Sequence, residues 1–454
     1  MNTVSLLAIV TFGMLTVGGL ASAGETWTLK AGKPLKVSGK LLDPLNVSGI
    51  ASVDESHLIL ACDEMLHGVQ AGRIDLKKGE ISVESPEFVL LADNKKELDL
   101  ESATADPQHH CYYTCGSCSV SRKKGKESPD RQWLFRMETD PKTGALLAGK
   151  VKKVSLRDAM NSDAFLQEHM DKPASELGID VEGMAFKEGK LWFGLRSPNV
   201  NGWGFVVSAS ADDLVAGKAV HFQRFELPLG EDLGIRDLVP VKGGFLFIAG
   251  PTGAREKAAT VEAAGAEKVE TIAKPAPAKE TPKETVATAE PAKETVVKAA
   301  PAKATTAKAA PAKVPAAKAA PAKAKETVAK AAPAKEMVAK AAPAKEVIAK
   351  PEPAKNETVA KPQPAVVPVK EGKAVYTLFF WPGDASTPVR IGDLVLPPAG
   401  EGAKGSHGKP EGLLVLNETA EKMDLIVVSD GSADGAPMLY ELSRKGRVEG
   451  PVSR

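Results

Sequence analysis

Five short segments of the 454-residue chain share an approximate opening: a polar residue, an aliphatic residue or proline, and a third residue that is usually acidic, ahead of an apolar run. The third positions are Ser48, Glu101, Glu182, Asp237 and Glu411. Carboxylates gathered about one axis raise each other's pKa unless something positive neutralises them. Calcium, which takes oxygen ligands, is one neutraliser. Arg196, Arg236 and Lys409, which lie close to these segments in sequence, are another. Alternatively each acid caps the start of its own strand and bonds the backbone of its neighbour.

Three further groups carry potential chemistry. Asp430, Ser432 and Asp434, with Gly435 and Glu441, satisfy the calcium-loop spacing. Apolar runs flank this loop in place of helices and Pro437 stiffens it, which equally suits a hairpin turn. The four cysteines are Cys62, Cys111, Cys115 and Cys118; Cys62 and Cys115 each fall 14 residues after a third position. That spacing puts them at equivalent strand ends of adjacent repeats and admits a disulfide from Cys62 to Cys115 or Cys118. His109 and His110 beside Cys111, Cys115 and Cys118 also admit zinc or haem, but there is no Cys-x-x-Cys-His and the two histidines would face opposite sides of a strand. Free thiols are the third option. His407, in Gly405-Ser406-His407-Gly408, is a candidate proton carrier. No nucleophile elbow, dinucleotide fingerprint or P-loop is present.

The elements that must position these residues follow from the spacing of the openings, which is 53, 81, 55 and 174. The second interval holds a helix-like insertion at about 154–179, with Leu156, Met160, Phe165, Leu166 and Met170 near helical spacing; without those 26 residues it is 55. The last holds a 118-residue tract, and without it the interval is 56. A period near 55 with about four strands per unit predicts an all-β fold, a β-propeller of five recognisable blades, with a sixth left open. Residues 132–137, 205–208, 375–380 and 438–442 supply third strands, and Trp27 to Lys30 returns as the outer strand of the last blade to close the ring. In such a disc the first strand of each blade starts, and the second ends, on one face. Glu101, Glu182, Asp237 and Glu411 would then surround the mouth of the central channel.

Outside this repeat the chain changes character. Residues 1–23 read as a signal peptide: an apolar stretch from Leu6 to Leu20 ends in Ala21-Ser22-Ala23, although no Lys or Arg precedes it. Export to a periplasm or beyond the cell is therefore expected, with no transmembrane segment after the signal is removed. Residues 255–372 repeat approximately as Pro-Ala-Lys-x-x-x-x-Lys-Ala-Ala and contain no Phe, Trp, Tyr, Cys, His or Asp, so they read as a disordered insert or tether between the propeller parts 24–254 and 373–454. That tract holds 22 basic and 14 acidic residues, a charge of +8, which leaves −7 on the rest of the chain. Its lysines suit an anionic polymer, a cell-envelope surface or a protein. With −7 on the remainder, overall charge gives no argument for nucleic acid, and no sequence-specific nucleic-acid motif is present.

Several motifs occur jointly: Asp180-Val181-Glu182-Gly183-Met184-Ala185, Gly194-Leu195-Arg196-Ser197-Pro198, Gly202-Trp203, Gly234-Ile235-Arg236-Asp237-Leu238, Ala249-Gly250-Pro251-Thr252 and Lys409-Pro410-Glu411-Gly412. With Ser121 to Lys126 and Leu134-Phe135-Arg136, the pattern resembles the bacterial domain-of-unknown-function 3616 family over about 40–254 and 373–445. The resemblance implies a propeller-like fold, similar in its Asp-x-Glu-Gly openings to the esterase-like phytase propellers, and no established activity. Cys118 stands where that family's Gly-Ser-His element would place a histidine, Ser48 replaces an acid, and the Lys/Pro tract is extra.

Two functions of different class fit. One is an exported binding or interaction module with a cationic tether. The other is a cation-dependent ester or phosphoester hydrolase, in which a cation at the acidic ring polarises the leaving oxygen, Arg196, Arg236 or Lys409 holds the anion and His407 carries the proton. The tract joins the second and third strands of the fourth blade, so it should leave on the same face as the acidic ring, an arrangement suited to capture of large anionic material.

Overall fold

The computed structural model describes residues 26–120, 128–253, 375–403 and 405–445. The signal-peptide and tether readings, for 1–23 and 255–372, lie outside these residues. The described chain forms five antiparallel blades, as the repeat predicts. Blade 1 contains β3 (Val47–Ser52), β4 (His57–Cys62), β5 (Gly68–Asp75) and β6 (Glu80–Val83), with β2 (Lys36–Ser38) added parallel to β6 and β7 (Phe88–Val89) paired to β5. Blade 2 is β8 (Leu100–Asp106), β9 (Cys111–Gly116), β10 (Trp133–Thr139) and β11 (Leu146–Ser155); blade 3 is β12 (Asp180–Lys187), β13 (Lys190–Val200), β14 (Trp203–Ser210) and β15 (Gln223–Pro228). Blade 4 is β16 (Leu233–Val241), β17 (Gly244–Pro251), β18 (Thr377–Trp381) and β19 (Val389–Asp393). Blade 5 is β20 (Lys409–Glu418), β21 (Lys422–Asp430), β22 (Met438–Lys445) and, from the other end of the chain, β1 (Thr26–Pro34), which pairs with β22 and closes the ring.

Each blade is apolar on both faces because each face meets a neighbouring blade, and five buried clusters fill the five interfaces. Ile59 and Ala103 meet between blades 1 and 2, Tyr113 and Phe193 between 2 and 3, Trp192 and Phe245 between 3 and 4, Leu378 and Leu425 between 4 and 5, and Leu60 and Ile426 between 5 and 1. The insertion forms two short helices, α1 (Leu156–Met160) and α2 (Ala164–Met170), capped by Ser155 and Asp163. Strand β11 extends to Ser155, so the helical part starts after it. Leu156, Met160, Leu166 and Met170 bury themselves in the core between blades 2 and 3. Among the described residues no helix is long and apolar enough to cross a membrane.

The disulfide expectation is corrected: all four thiols are free and buried. Cys62 packs between blades 5 and 1, whereas Cys111, Cys115 and Cys118 pack between blades 2 and 3. The equal 14-residue spacing misleads because the hairpin of blade 2 is one residue longer. Cys62 pairs with Val47, but Cys115 pairs with Ser102, the counterpart of Gly49. Side chains alternate along a strand, so that single step turns the two cysteines to opposite faces.

Candidate functional site

Every innermost strand carries a β-bulge at the same place. The ladder skips Ser48, Glu101, Glu182, Arg236 and Glu411, one residue per blade. A bulge leaves its extra residue unpaired and re-aims it. The fourth member is Arg236, not Asp237, because the Ile235-Arg236-Asp237 opening is displaced by one relative to the others. Asp237 is buried one step beyond the bulge. Its carboxylate accepts from the backbone N–H groups of Leu238 at 2.7 Å and Leu413 at 2.6 Å, and from that of Met184, so it stitches blade 4 to blades 5 and 3. The matching positions of blades 1, 3 and 5 are Gly49, Gly183 and Gly412, where an added Cβ would lie within about 3.5 Å of the next blade. Burial drives the Asp237 carboxyl well above its ordinary range despite these bonds.

Two further rings stack on the bulge ring. One lies toward the far end of the second strands: Asp63, Ser117, Arg196, Gly250 and Asp430 follow the residues that pair just before each bulge. The other opens the first strands, two residues ahead of the bulges: Asn46, Asp99, Asp180, Gly234 and Lys409. Their members from blades 1, 2, 3 and 5, except Ser117, line a cavity of about 900 Å³. Asp63, Glu64, Glu97, Asp99, Glu101, Asp180, Glu182, Glu411 and Asp430 line it, against Lys96, Arg131, Arg196 and Lys409.

Its charges are not evenly distributed. Toward blades 3 and 4 the acids are neutralised. Arg236 Nε lies 3.0 Å from Glu182 Oε2 while its Nη2 pairs with Glu411, and Arg196 pairs with Glu182 and, at 3.4 Å, with Asp180. Arg236 and Arg196 also donate to the carbonyls of Pro251 at 3.2 Å and Thr252 at 3.3 Å. Burial opposes the Arg196 charge, but Glu182 and Asp180 outweigh it and raise its pKa. Blade 4 makes room for this wall by carrying glycine in both outer rings. A Cβ on Gly234 would stand 1.9 Å from the carbonyl oxygen of Arg196. Gly234→Ala should therefore cost about 2–3 kcal/mol, read as a lower urea midpoint, by pushing Arg196 off Glu182.

Toward blades 1 and 2 the compensation is incomplete. Asp99 has Arg131 at 3.0 Å and Asp430 has Lys409 at 3.1 Å, but Asp63 and Glu101 have neither an ion pair nor a side-chain hydrogen bond among the described residues. Asp63 Oδ1 is buried without a partner. Burial, then Asp430, Asp99, Glu411 and Asp43, push the Asp63 carboxyl up to about 9. Burial, then Asp99, Glu182, Asp63 and Glu411, raise Glu101 well above its ordinary value. Burial lifts Glu411 to about 8 even with Arg236 beside it.

Of the residues expected at the site, Glu101, Glu182, Glu411, Arg196 and Lys409 line the cavity, and Arg236 ties its floor together. His407 does not line it: its exposed ring meets Ser406 Oγ at 2.8 Å. The calcium-loop residues do not converge. Asp430 binds Lys409, Ser432 Oγ donates to the Pro398 carbonyl at 3.0 Å, Asp434 is exposed, and Glu441 on β22 pairs with Lys422 at 2.8 Å. The loop is the hairpin turn between β21 and β22. Among the described residues no three His, Cys, Asp or Glu side chains are grouped to hold a metal ion. Asp63, Asp99 and Asp180 were not anticipated. Asp99 and Asp180 head the very openings that end in Glu101 and Glu182, and Asp63 directly follows the second strand, so both signals were present in the repeat.

Fold and site define a five-bladed β-propeller with an acidic axial funnel, neutralised on one side only. Residues 131–262 match the family described as "Protein of unknown function (DUF3616)". No curated protein matches the chain. Among solved structures it is similar to the WD40 β-propeller domain of Doa1, with 12% identity over 48% of this chain and 52% of that one and a TM-score of 0.25. It is also similar to a protein from Lactobacillus plantarum, with 12% identity over 47% and 52% and a TM-score of 0.24. An α-L-arabinofuranosidase from Clostridium thermocellum shares 11% over 47% and 62%, with a TM-score of 0.26. The chain thus spans about half to three fifths of the length of these structures.

Proposed function

We propose that the protein is an exported binding module. Its propeller takes a positively charged ligand in the axial funnel, and residues 255–372 serve as a cationic tether for anionic polymers or envelope surfaces. The observation that carries the first part is that, among the described residues, Asp63 and Glu101 have no partner in a funnel whose other acids have cationic partners or lie at its rim. Leaving such half-buried carboxylates without a counter-charge is costly, and a ligand cation would remove that cost. Hydrolysis finds less support: the cations that would hold an anionic substrate, Arg196, Arg236 and Lys409, are committed to carboxylates, and His407 stands outside the funnel lining. The test replaces Asp63 and Glu101 together by their amides. Cation binding should disappear while the fold becomes more stable; a less stable fold would contradict the reading.

The tether reading rests on charge and on where the segment joins the propeller. Thr252, just before it, accepts from Arg196, and Tyr376, just after it, lies under Arg236 with 5.7 Å from guanidinium to ring centre. Both junctions therefore adjoin the funnel's neutralised wall. Deleting 255–372 should abolish most binding to polyphosphate or polygalacturonate at low salt, with no change in binding at the funnel. Unchanged affinity for both polymers would remove the tether from the account.

A further inference from the structure

We infer that a groove on the outer wall of blade 3 binds a short neutral oligosaccharide, with Trp203 as the stacking platform and Asp163, Arg224 and Asp384 as the hydroxyl-binding groups. The groove has a volume of about 700 Å³, shares no lining residue with the funnel and runs over the outermost strand, β15. Volumes of this order hold a small organic molecule. The helical insertion forms one bank through Asp163 and Phe165, and the loop between β18 and β19 forms the other through Asp384. The insertion and the Gly202-Trp203 motif, neither of which the blade repeat requires, therefore meet here.

Trp203 points to the ligand class. The other four tryptophans, Trp27, Trp133, Trp192 and Trp381, each have a ring or a cation against them. Among the described residues Trp203 has neither, and its indole N–H has no acceptor. It is nonetheless held in place. Asn201 and Gly202, at φ of 53° and 82°, form the tight hairpin turn just before it. Asn199 accepts from the Gly202 N–H at 3.0 Å and donates to the carbonyls of Gly230 and Leu233, both at 2.8 Å. A fixed, half-buried indole matches a ligand with a flat apolar face bordered by polar groups, which is what the C–H face of a sugar ring offers.

The polar groups narrow the class further. Asp163 Oδ1 accepts from the backbone N–H groups of Phe165 at 3.0 Å and Leu166 at 3.1 Å, while its Oδ2 has no partner among the described residues. Asp384 is exposed and oriented by the Ser386 N–H at 2.8 Å. Arg224, on β15, lies 4.2 Å over the Phe165 ring and 3.4 Å from Glu226. Three carboxylates against one guanidinium disfavour an anion, and the guanidinium disfavours a cation beside it. Hydroxyl groups donate to the first and accept from the second, so both signs serve a neutral sugar.

An array of neutral, amino and acidic oligosaccharides, probed with the full chain from Gly24, tests this, followed by calorimetric titration of the best-retained neutral glycan. Neutral hexose oligosaccharides should be retained. Trp203→Ala should weaken the titrated affinity roughly 10-fold or more, and Trp203→Phe should restore most of it. Melting of each variant checks that it is folded. Should Trp203→Ala not fold, Arg224→Ala, on the partly exposed outer strand, takes its place and should weaken binding in the same direction. Retention of no neutral glycan, whether or not acidic glycans bind through residues 255–372, overturns the inference, as does neutral binding that the folded variant leaves unchanged.

Discussion

Glu182→Gln should destabilise the propeller by about 3–5 kcal/mol, lowering its melting temperature by roughly 10 °C. Glu182 is 1% exposed and holds two buried arginines at once, Arg196 from its own blade and Arg236 from the next. An amide cannot neutralise either, so the variant leaves two buried guanidiniums short of charge. The effect should reach beyond blade 3, because Arg236 also ties blade 4 to blade 5 through Glu411. Glu226→Gln is the control. Its pair with Arg224 lies on the outer strand β15, partly exposed, and should change stability by less than about 1 kcal/mol. Equal effects from the two variants would remove Glu182 from its place as the keystone of the funnel floor.

The opposite sign is expected on the facing wall, only a blade away. Asp63→Asn together with Glu101→Gln should stabilise the protein by about 2–4 kcal/mol at pH 9, a rise of roughly 5–10 °C in melting temperature. Both carboxylates are raised, Asp63 to about 9 from an ordinary 3.8, so the folded state holds protons that the unfolded state has released. Stability contributed at low pH is then lost as pH rises through this window. Amides do not titrate and escape that loss. Stability gained by removing a residue, with binding lost in the same step, is the mark of a group kept for function at the expense of the fold.

Much of this architecture was readable from periodicity. The 55-residue spacing anticipated five blades, the third strands and the closure by Trp27 to Lys30, because each blade repeats the same burial problem. The helical insertion was readable from Leu156, Met160 and Leu166, but not its split into α1 and α2, which depends on Asp163 capping a second start. Two errors have one cause. Asp237 stood in for Arg236, and Cys62 was matched to Cys115, because counting along the chain cannot see where a bulge or a longer hairpin shifts a ladder by one residue. The polarity of the funnel was hidden for a different reason. It depends on which acids Arg196 and Arg236 reach across blades, and Glu411 is 175 residues from the arginine that neutralises it.

Among the described residues, Asp63 and Glu101 have no cationic partner. Thermal melting of the protein from Gly24, wild type against Asp63→Asn with Glu101→Gln, at pH 6 and pH 9, tests this most directly. The variant should melt higher at both, with the larger gap at pH 9. A variant that melts lower, or a gap of the same size at both pH values, would contradict it. Asp63 and Glu101 would then already have partners within the chain.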